Sequence, residues 1–375
     1  MSSQAQKLFK IVYLTVADQL DNFLKKQTGA SLLQSWYWGE VQKAEGRKVW
    51  RLGLEKENGE LAAVLTVIKH NLPLGRSYLY SPRGPVFTSE NKSSTDHRAN
   101  HSRSRLFFLA EIKKIAQAEK SIFWRVEPLD FDFLNGLKKF QIYKTKRVQP
   151  LEELEVSLNQ NDQLSVLSSA DQLNKRDNQI DKNLAELLKS MKPKTRYNIR
   201  LAEKKGVCCH WVDLSQADIR KKNLDIFWQI IQETSQRNQF GLHPKEHYWK
   251  ILEILGPQNL AGLIIGEYNK EPAAANLITF FGDTAYYLHG GSKYKYRNVM
   301  APYLLHWQVI LEARRRGLKY YNLSGVAVSL DNVKTLGGIT KFKSGFGGRL
   351  ISYPGAFEIV LKPAWYKVYR LYKKI

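Results

Sequence analysis

Three stretches carry side chains whose types and spacing could do chemistry. Arg196, Arg200 and Lys204 recur at every fourth residue in KTRYNIRLAEKKGV. On a helix that spacing makes one basic stripe. Opposite charges are nearly absent along it, so it gains little ion-pair support; it suits an anion-facing surface and equally a solvated helix face. Lys341 and Lys343 stand in LGGITKFKSGFGG, among Gly337, Gly338, Gly345, Gly347 and Gly348. Glycines permit tight turns and close substrate approach, so this segment reads as a loop. The third stretch, AYYLHGGSKYKYRN, places Tyr286 and Tyr287 on a strand that runs into a polar, tyrosine-rich loop. No Cys/His cluster has zinc spacing. His243 and His247 are four apart, but Pro244 lies between them and no third ligand is evident. The two cysteines, Cys208 and Cys209, are adjacent, a spacing that rarely bridges, so a reducing compartment is expected.

The elements that must position these groups run from Ala273 to Gly348. AAANLITFF and TAYYLHGG read as two strands joined at Gly282-Asp283. The helix APYLLHWQVILEARRR follows, with Pro302 in its first turn, three arginines at its negative end and Gly317 as a left-handed cap. KYYNLSG is the next strand. A hairpin, a loop feeding a helix N-terminus and a strand resemble the working half of a GNAT-type acyltransferase. Such enzymes cradle a pyrophosphate on a glycine-rich turn, because backbone N–H groups must approach phosphate closely. Here SKYKYRNVMAP has no glycine before the helix, and SPRGPVF earlier in the chain is no cradle either. No coenzyme A is therefore expected as cofactor.

The same order of elements occurs in the first half. RKVWRLGLEKENGELAAVLTVIK is a hairpin turning at Asn58-Gly59, YLYSPRG a third strand, RLFFLAEIKKIAQAEK an amphipathic helix and SIFWRVE a further strand. Phe108, Ile112, Ile115 and Ala116 fall at helical spacing on it. The polar run from Thr88 to Arg105 reads as a mobile loop, and Asn159 to Asn183 as a flexible insertion or linker. The expected fold class is α/β (α+β), with two GNAT-like units in tandem around a cleft. The first spans residues 1–150 and is completed by 351–375; the second spans 151–350, with the insertion at 159–183.

A formal charge of +23 and pI near 9.7 bias the chain towards polyanions, either nucleic acid or an anionic membrane face. A basic proteome would give the same number. The N-terminus has neither a long apolar run nor a small-residue cleavage site, and no window reaches the ~20 apolar residues of a membrane span. A cytoplasmic protein is expected. The tail KPAWYKVYRLYKKI puts Trp365, Tyr369 and Tyr372 near one helical face amid cations. It fits peripheral contact with an anionic inner membrane surface, or docking on the first unit.

In order along the chain, LLQSWYWGEVQKAEGR, YLYSPRGPVF, SMKPKTRYNIRLAEKKGV, RNQFGLHPKEHYW, AAANLITFFGDTAYYLHGGSKYKYRNVMAPYLLHW and KFKSGFGG resemble the Fem family of peptidoglycan-bridge aminoacyltransferases. The resemblance covers nearly the whole chain. It implies aminoacyl-tRNA as donor and, as acceptor, an amine on the stem peptide of a lipid-linked or nucleotide-linked peptidoglycan precursor. A monomer is expected. The reaction would be ester aminolysis through an oxyanion. Lys343, paired with Phe342, matches the family position proposed to meet that charge or the tRNA terminus, with Lys341 as its rival. Glu127 falls near a family acidic residue and could accept the amine's proton; substrate or tRNA oxygens are the alternative. Arg237 matches an arginine that contacts precursor phosphates. Lys43 could be the lysine that follows the first tryptophan helix, although Gln42 sits closer to that slot. Tyr286 and Tyr287 would line the cleft, and Arg196, Arg200 and Lys204 would meet tRNA. Two other classes fit the same basic scaffold, an N-acyltransferase using another activated donor and a non-catalytic nucleic-acid-binding module.

Overall fold

The computed structural model describes residues 9–88, 95–135, 137, 139–158, 184–327 and 333–373. The whole of the insertion expected at 159–183, and residues 89–94 of the polar run, lie outside these. The chain divides into two compact units, one of Met1–Leu151 with Ser352–Ile375 and one of Glu152–Ile351.

The first unit holds β1 (Phe9–Tyr13), β2 (Val49–Lys56), β3 (Leu61–Leu72), β4 (Arg76–Pro82), β5 (Val86–Phe87), β6 (Ser121–Glu127) and β7 (Ile142–Thr145). Its helices are α1 (Ala17–Lys25), α2 (Trp36–Ala44), α3 (Thr95–Ala118) and α4 (Asp132–Asn135). The second unit holds β8 (Glu152–Ser157), β9 (Cys208–Trp211), β10 (Ala261–Tyr268), β11 (Glu271–Phe281), β12 (Thr284–Ser292), β13 (Tyr320–Gly325) and β14 (Arg349–Ser352). With them are α5 (Pro193–Lys204), α6 (Ala217–Asn238), α7 (Lys245–Leu255), α8 (Ala301–Arg315) and α9 (Val333–Lys343). The tail returns to the first unit as β15 (Ala356–Val360) and α10 (Pro363–Lys373).

In the first sheet the order is β1-β2-β3-β4-β6-β15-β7, with β5 on β3. All pairs are antiparallel except β4–β6, the two strands that α3 connects. Phe108, Ile112, Ile115 and Ala116 of α3 pack on Leu52, Leu65, Val67 and Trp124, as their spacing predicts. The helix begins at Thr95, inside the run read as a mobile loop. The β2–β3 turn is one residue longer than expected: Lys56 N–H donates to Glu60 O across Glu57-Asn58-Gly59. Gly59 takes a left-handed φ of 85° there, which costs a glycine little.

The second sheet runs β14-β8-β13-β12-β11-β10-β9. Asn269 and Lys270 both have positive φ, 52° and 62°, the signature of a two-residue hairpin turn whose twist matches its strands. The parallel pair is again the one a helix connects, β12–α8–β13. Each unit is thus a mostly antiparallel sheet with one parallel pair and a crossover helix, the GNAT-like arrangement. Leu304, Leu305, Val309 and Ile310 of α8 are buried on Ala274, Ile278 and Ala285.

The segment read as a loop at 337–348 is different. Val333–Lys343 is helical, followed by a 3₁₀ turn at Ser344–Phe346. Gly337 and Gly338 weaken a helix by only about 1 kcal/mol each. The stacking of Phe342 and Phe346 on Tyr303 and His306 of α8 outweighs that cost.

Candidate active site

The two parallel pairs behave differently at their C-terminal ends. In the first unit β4 and β6 stay paired to their last residues, Pro82 with Glu127. In the second unit β12 and β13 pair only at Thr284–Tyr320, Ala285–Tyr321 and Tyr286–Asn322. Both strands continue; β13 stays paired with β8 on its other edge, where a register shift between Asn322 and Gly325 leaves Gly325 opposite Glu153. The strands part, and side chains enter the wedge between them.

Lys343 is chief among these. It ends α9, is 6% exposed, and its Nζ donates to Gly325 O at 2.7 Å. The Tyr287 ring lies 5.5 Å from the ammonium. Burial pulls the Lys343 pKa down from 10.5 to about 8, with Glu153 acting in the opposite sense. His306 of α8 stands beside it, buried, with Nδ1 2.6 Å from the Tyr321 hydroxyl and its ring 4.7 Å from that of Tyr287. Burial, with the Lys343 charge second, lowers the His306 pKa to about 3, so this imidazole is neutral near pH 7. Burial raises the phenol pKa values of Tyr287 and Tyr321. The result is a buried cation among neutral aromatic groups. Removed from bulk water, such a cation interacts strongly with a developing negative charge.

The other expected residues are distributed as follows. Lys341 is exposed while Lys343 points inward, since α9 sets residues two apart on different sides. Phe342 is half-buried against Tyr303, His306 and Phe346, at ring distances of 4.9, 5.3 and 5.5 Å. Tyr286 precedes Tyr287 on β12 and pairs with Asn322; burial raises its pKa, and Glu153 adds to that. Arg237 is in the last turn of α6, where its Nη1 donates to Ser292 O at 3.0 Å and its guanidinium lies 5.9 Å from the Tyr294 ring. The basic stripe divides. Arg196 donates to the carbonyls of Lys189 and Met191, whereas Arg200 and Lys204 are exposed.

Glu127 and Lys43 belong to the first unit. Glu127 is 1% exposed and accepts from the Tyr80 hydroxyl at 2.6 Å and from the N–H groups of Val148 (2.6 Å) and Gln149 (3.2 Å). Its carboxylate anchors the turn before β8. Lys43 is exposed and pairs with Glu40 at 2.9 Å, while Gln42 is buried and accepts from Arg47.

His306, Tyr321, Glu153 and Asn322 escaped the sequence reading. His306 sits on the buried face of an ordinary amphipathic helix, which gives no signal by itself. Asn322 had one: in Asn322-Leu323-Ser324, Asn Oδ1 accepts from the Ser324 N–H two residues on, the usual asparagine turn. Among the described residues no three His, Cys, Asp or Glu groups converge to hold a metal ion. In the same residues no helix is long and apolar enough to cross a membrane.

Comparison with known proteins gives a consistent picture. The model of the FemAB family matches residues 15–271 and 257–374. "Aminoacyltransferase FemA" of Staphylococcus epidermidis is 20% identical over 444 aligned positions, covering 96% of this chain and 98% of that protein. "Lipid II:glycine glycyltransferase" of Staphylococcus aureus is 22% identical, covering 93% and 92%. The crystal structure of FemX superposes with a TM-score of 0.77 at 19% identity, covering 96% of this chain and 99% of that one, a likeness of fold.

Proposed function

Because the chain belongs to the FemAB family and is an acyltransferase, we propose that it moves an amino acid from aminoacyl-tRNA to an amine on the stem peptide of a peptidoglycan precursor, forming an interpeptide bridge. The buried Lys343 ammonium in the β12–β13 wedge carries the reading. The neutral acceptor amine attacks the ester carbonyl, an oxyanion forms, and the C–O bond to the tRNA ribose breaks. Lys343 offers a fixed positive charge to the oxyanion. The Glu127 oxygens already accept from Tyr80, Val148 and Gln149, which favours the departing ribose oxygen as the final holder of the amine's proton.

The donor reading rests on charge and on a missing cradle. The turn before α8 presents Tyr294, Lys295, Tyr296 and Arg297 where a coenzyme A enzyme has glycines, so no coenzyme A is assigned. The chain's charge of +23 suits a tRNA backbone. Arg200 and Lys204 are offered as tRNA contacts and Arg237 as a precursor contact. The test is incubation with a mixture of charged tRNAs and precursor, followed by mass measurement of the precursor. One added aminoacyl residue is expected; an unchanged mass with every charged tRNA refutes the proposal.

Peripheral contact with an anionic membrane face is part of the same reading. Trp365, Tyr366 and Tyr369 of α10 pack on the first unit. Val368, Leu371 and Tyr372 remain 47, 79 and 70% exposed, beside Lys367 and Lys373. Tyr372 therefore departs from the docked face that its spacing suggested, because it sits in the last turn of the helix. Binding to anionic vesicles should weaken as salt rises, over a screening length of ~8 Å at physiological ionic strength. Co-sedimentation unaffected by salt, or equal with neutral vesicles, would count against it.

A further inference from the structure

Glu153 and Asn322 lie behind Lys343. Asn322 is 1% exposed and its Nδ2 donates to Glu153 Oε2 at 2.9 Å. Its Oδ1 accepts from Ser324 N–H at 2.6 Å. Ser324 has a left-handed φ of 62°, a conformation that costs a non-glycine residue about 1 kcal/mol or more. The chain holds it because both ends of the Asn322 amide are bonded. This turn is the register shift in the β13–β8 pairing: Asn322 stands opposite Glu155 and Gly325 opposite Glu153, just past the last β12–β13 pair at Asn322. The carbonyl of Gly325 is the one that accepts from Lys343. The Glu153 carboxylate, the Asn322 amide, the Ser324 turn and the Gly325 carbonyl thus form one chain ending at the ammonium.

We infer that Glu153 and Asn322 are positioning residues for Lys343: Asn322 aims the Gly325 carbonyl at the ammonium, and the Glu153 carboxylate keeps that ammonium charged inside the protein. The inference rests on the role proposed above for Lys343. Among the described residues around Lys343, the task falls to Glu153. Tyr287 and His289 on β12, His306 on α8 and Tyr321 on β13 are held neutral by burial, so none supplies a countercharge. A buried lysine without a countercharge tends to give up its proton.

Glu153→Gln separates charge from geometry, since the amide oxygen can still accept from Asn322. Two readouts are needed. Trace acetylation of Lys343 by acetic anhydride, followed by peptide mass measurement across pH of about 6 to 10, reports its midpoint without reference to activity. Single-turnover transfer over the same range reports function. The midpoint should fall in Glu153→Gln. The rate relative to wild type should be nearly normal at the acid end and drop as pH rises, approaching about tenfold for each unit by which the midpoint falls. Asn322→Ala keeps the Glu153 charge and frees the turn; it should lower kcat with little change in KM. An unmoved Lys343 midpoint in Glu153→Gln overturns the charge role, and unchanged kcat in Asn322→Ala overturns the positioning role. A midpoint that moves while the rate profile does not would uphold the coupling and remove Lys343 from the reaction, so the two ideas fail separately.

Discussion

Lys343→Met is expected to lower single-turnover transfer by about 10²–10³-fold, the usual cost of removing one donor to an oxyanion. Precursor affinity should stay near wild type, and Lys341→Met should change little. The two lysines are chemically identical and two residues apart, so their difference isolates position. Lys343 is buried and donates to Gly325 O, whereas Lys341 faces solvent. Methionine fills a similar volume without charge, so the apolar packing around Tyr287 and Phe342 is largely kept. The pH dependence adds a second check. The Lys343 pKa is depressed to about 8, so its ammonium is fully present well below that pH and is lost as pH rises through it. The ratio of wild-type to Lys343→Met rates should therefore be largest on the acid side of about 8 and shrink on the alkaline side. Equal, small losses from both lysine changes would remove Lys343 from the mechanism. A loss confined to precursor affinity would make it an acceptor-binding group.

That prediction depends on a feature only partly legible in the sequence. The hairpins, both crossover helices and the buried face of α3 follow from period and turn chemistry. Gly282-Asp283 joins β11 to β12 where it should, and Pro302 and Gly317 bound α8 as expected. Residues 337–343 do not follow. Paired glycines argue for a loop, but helix α9 is decided by aromatic packing onto α8, which local propensity does not contain. The helix is what separates Lys341 from Lys343. The parting of β12 and β13 was equally hidden. It coincides with the register shift that sets Gly325 opposite Glu153, which lies 172 residues earlier in the chain. The sequence could offer Glu127 as an acid in a plausible place, but not the three donors that already occupy it.

The largest effect on stability should come from Arg125→Met. Strand β15 joins the first sheet between β6 and β7, and Glu358 is its inward-facing carboxylate, 2% exposed. Arg125 of β6 pairs with it, Nε donating at 3.2 Å and Nη2 at closer range. The Tyr366 hydroxyl of α10 donates to the other oxygen at 2.6 Å. One carboxylate therefore links β6, β15 and the tail helix. Losing the arginine leaves a buried negative charge with only neutral donors, a change that typically costs about 3–5 kcal/mol. Native stability is commonly only about 5–15 kcal/mol, so the urea midpoint should fall visibly. The double variant Arg125→Met with Glu358→Gln removes the stranded charge and keeps an oxygen for Tyr366. It should recover much of the loss, because the penalty lies in the unpaired charge more than in the missing bond. Tail proteolysis should rise in the single variant and subside in the double. If the single variant unfolds at the wild-type urea concentration, Glu358 is not the fastening point of the tail. If the double variant is as unstable as the single one, the cost lies in lost packing of the arginine against Tyr78.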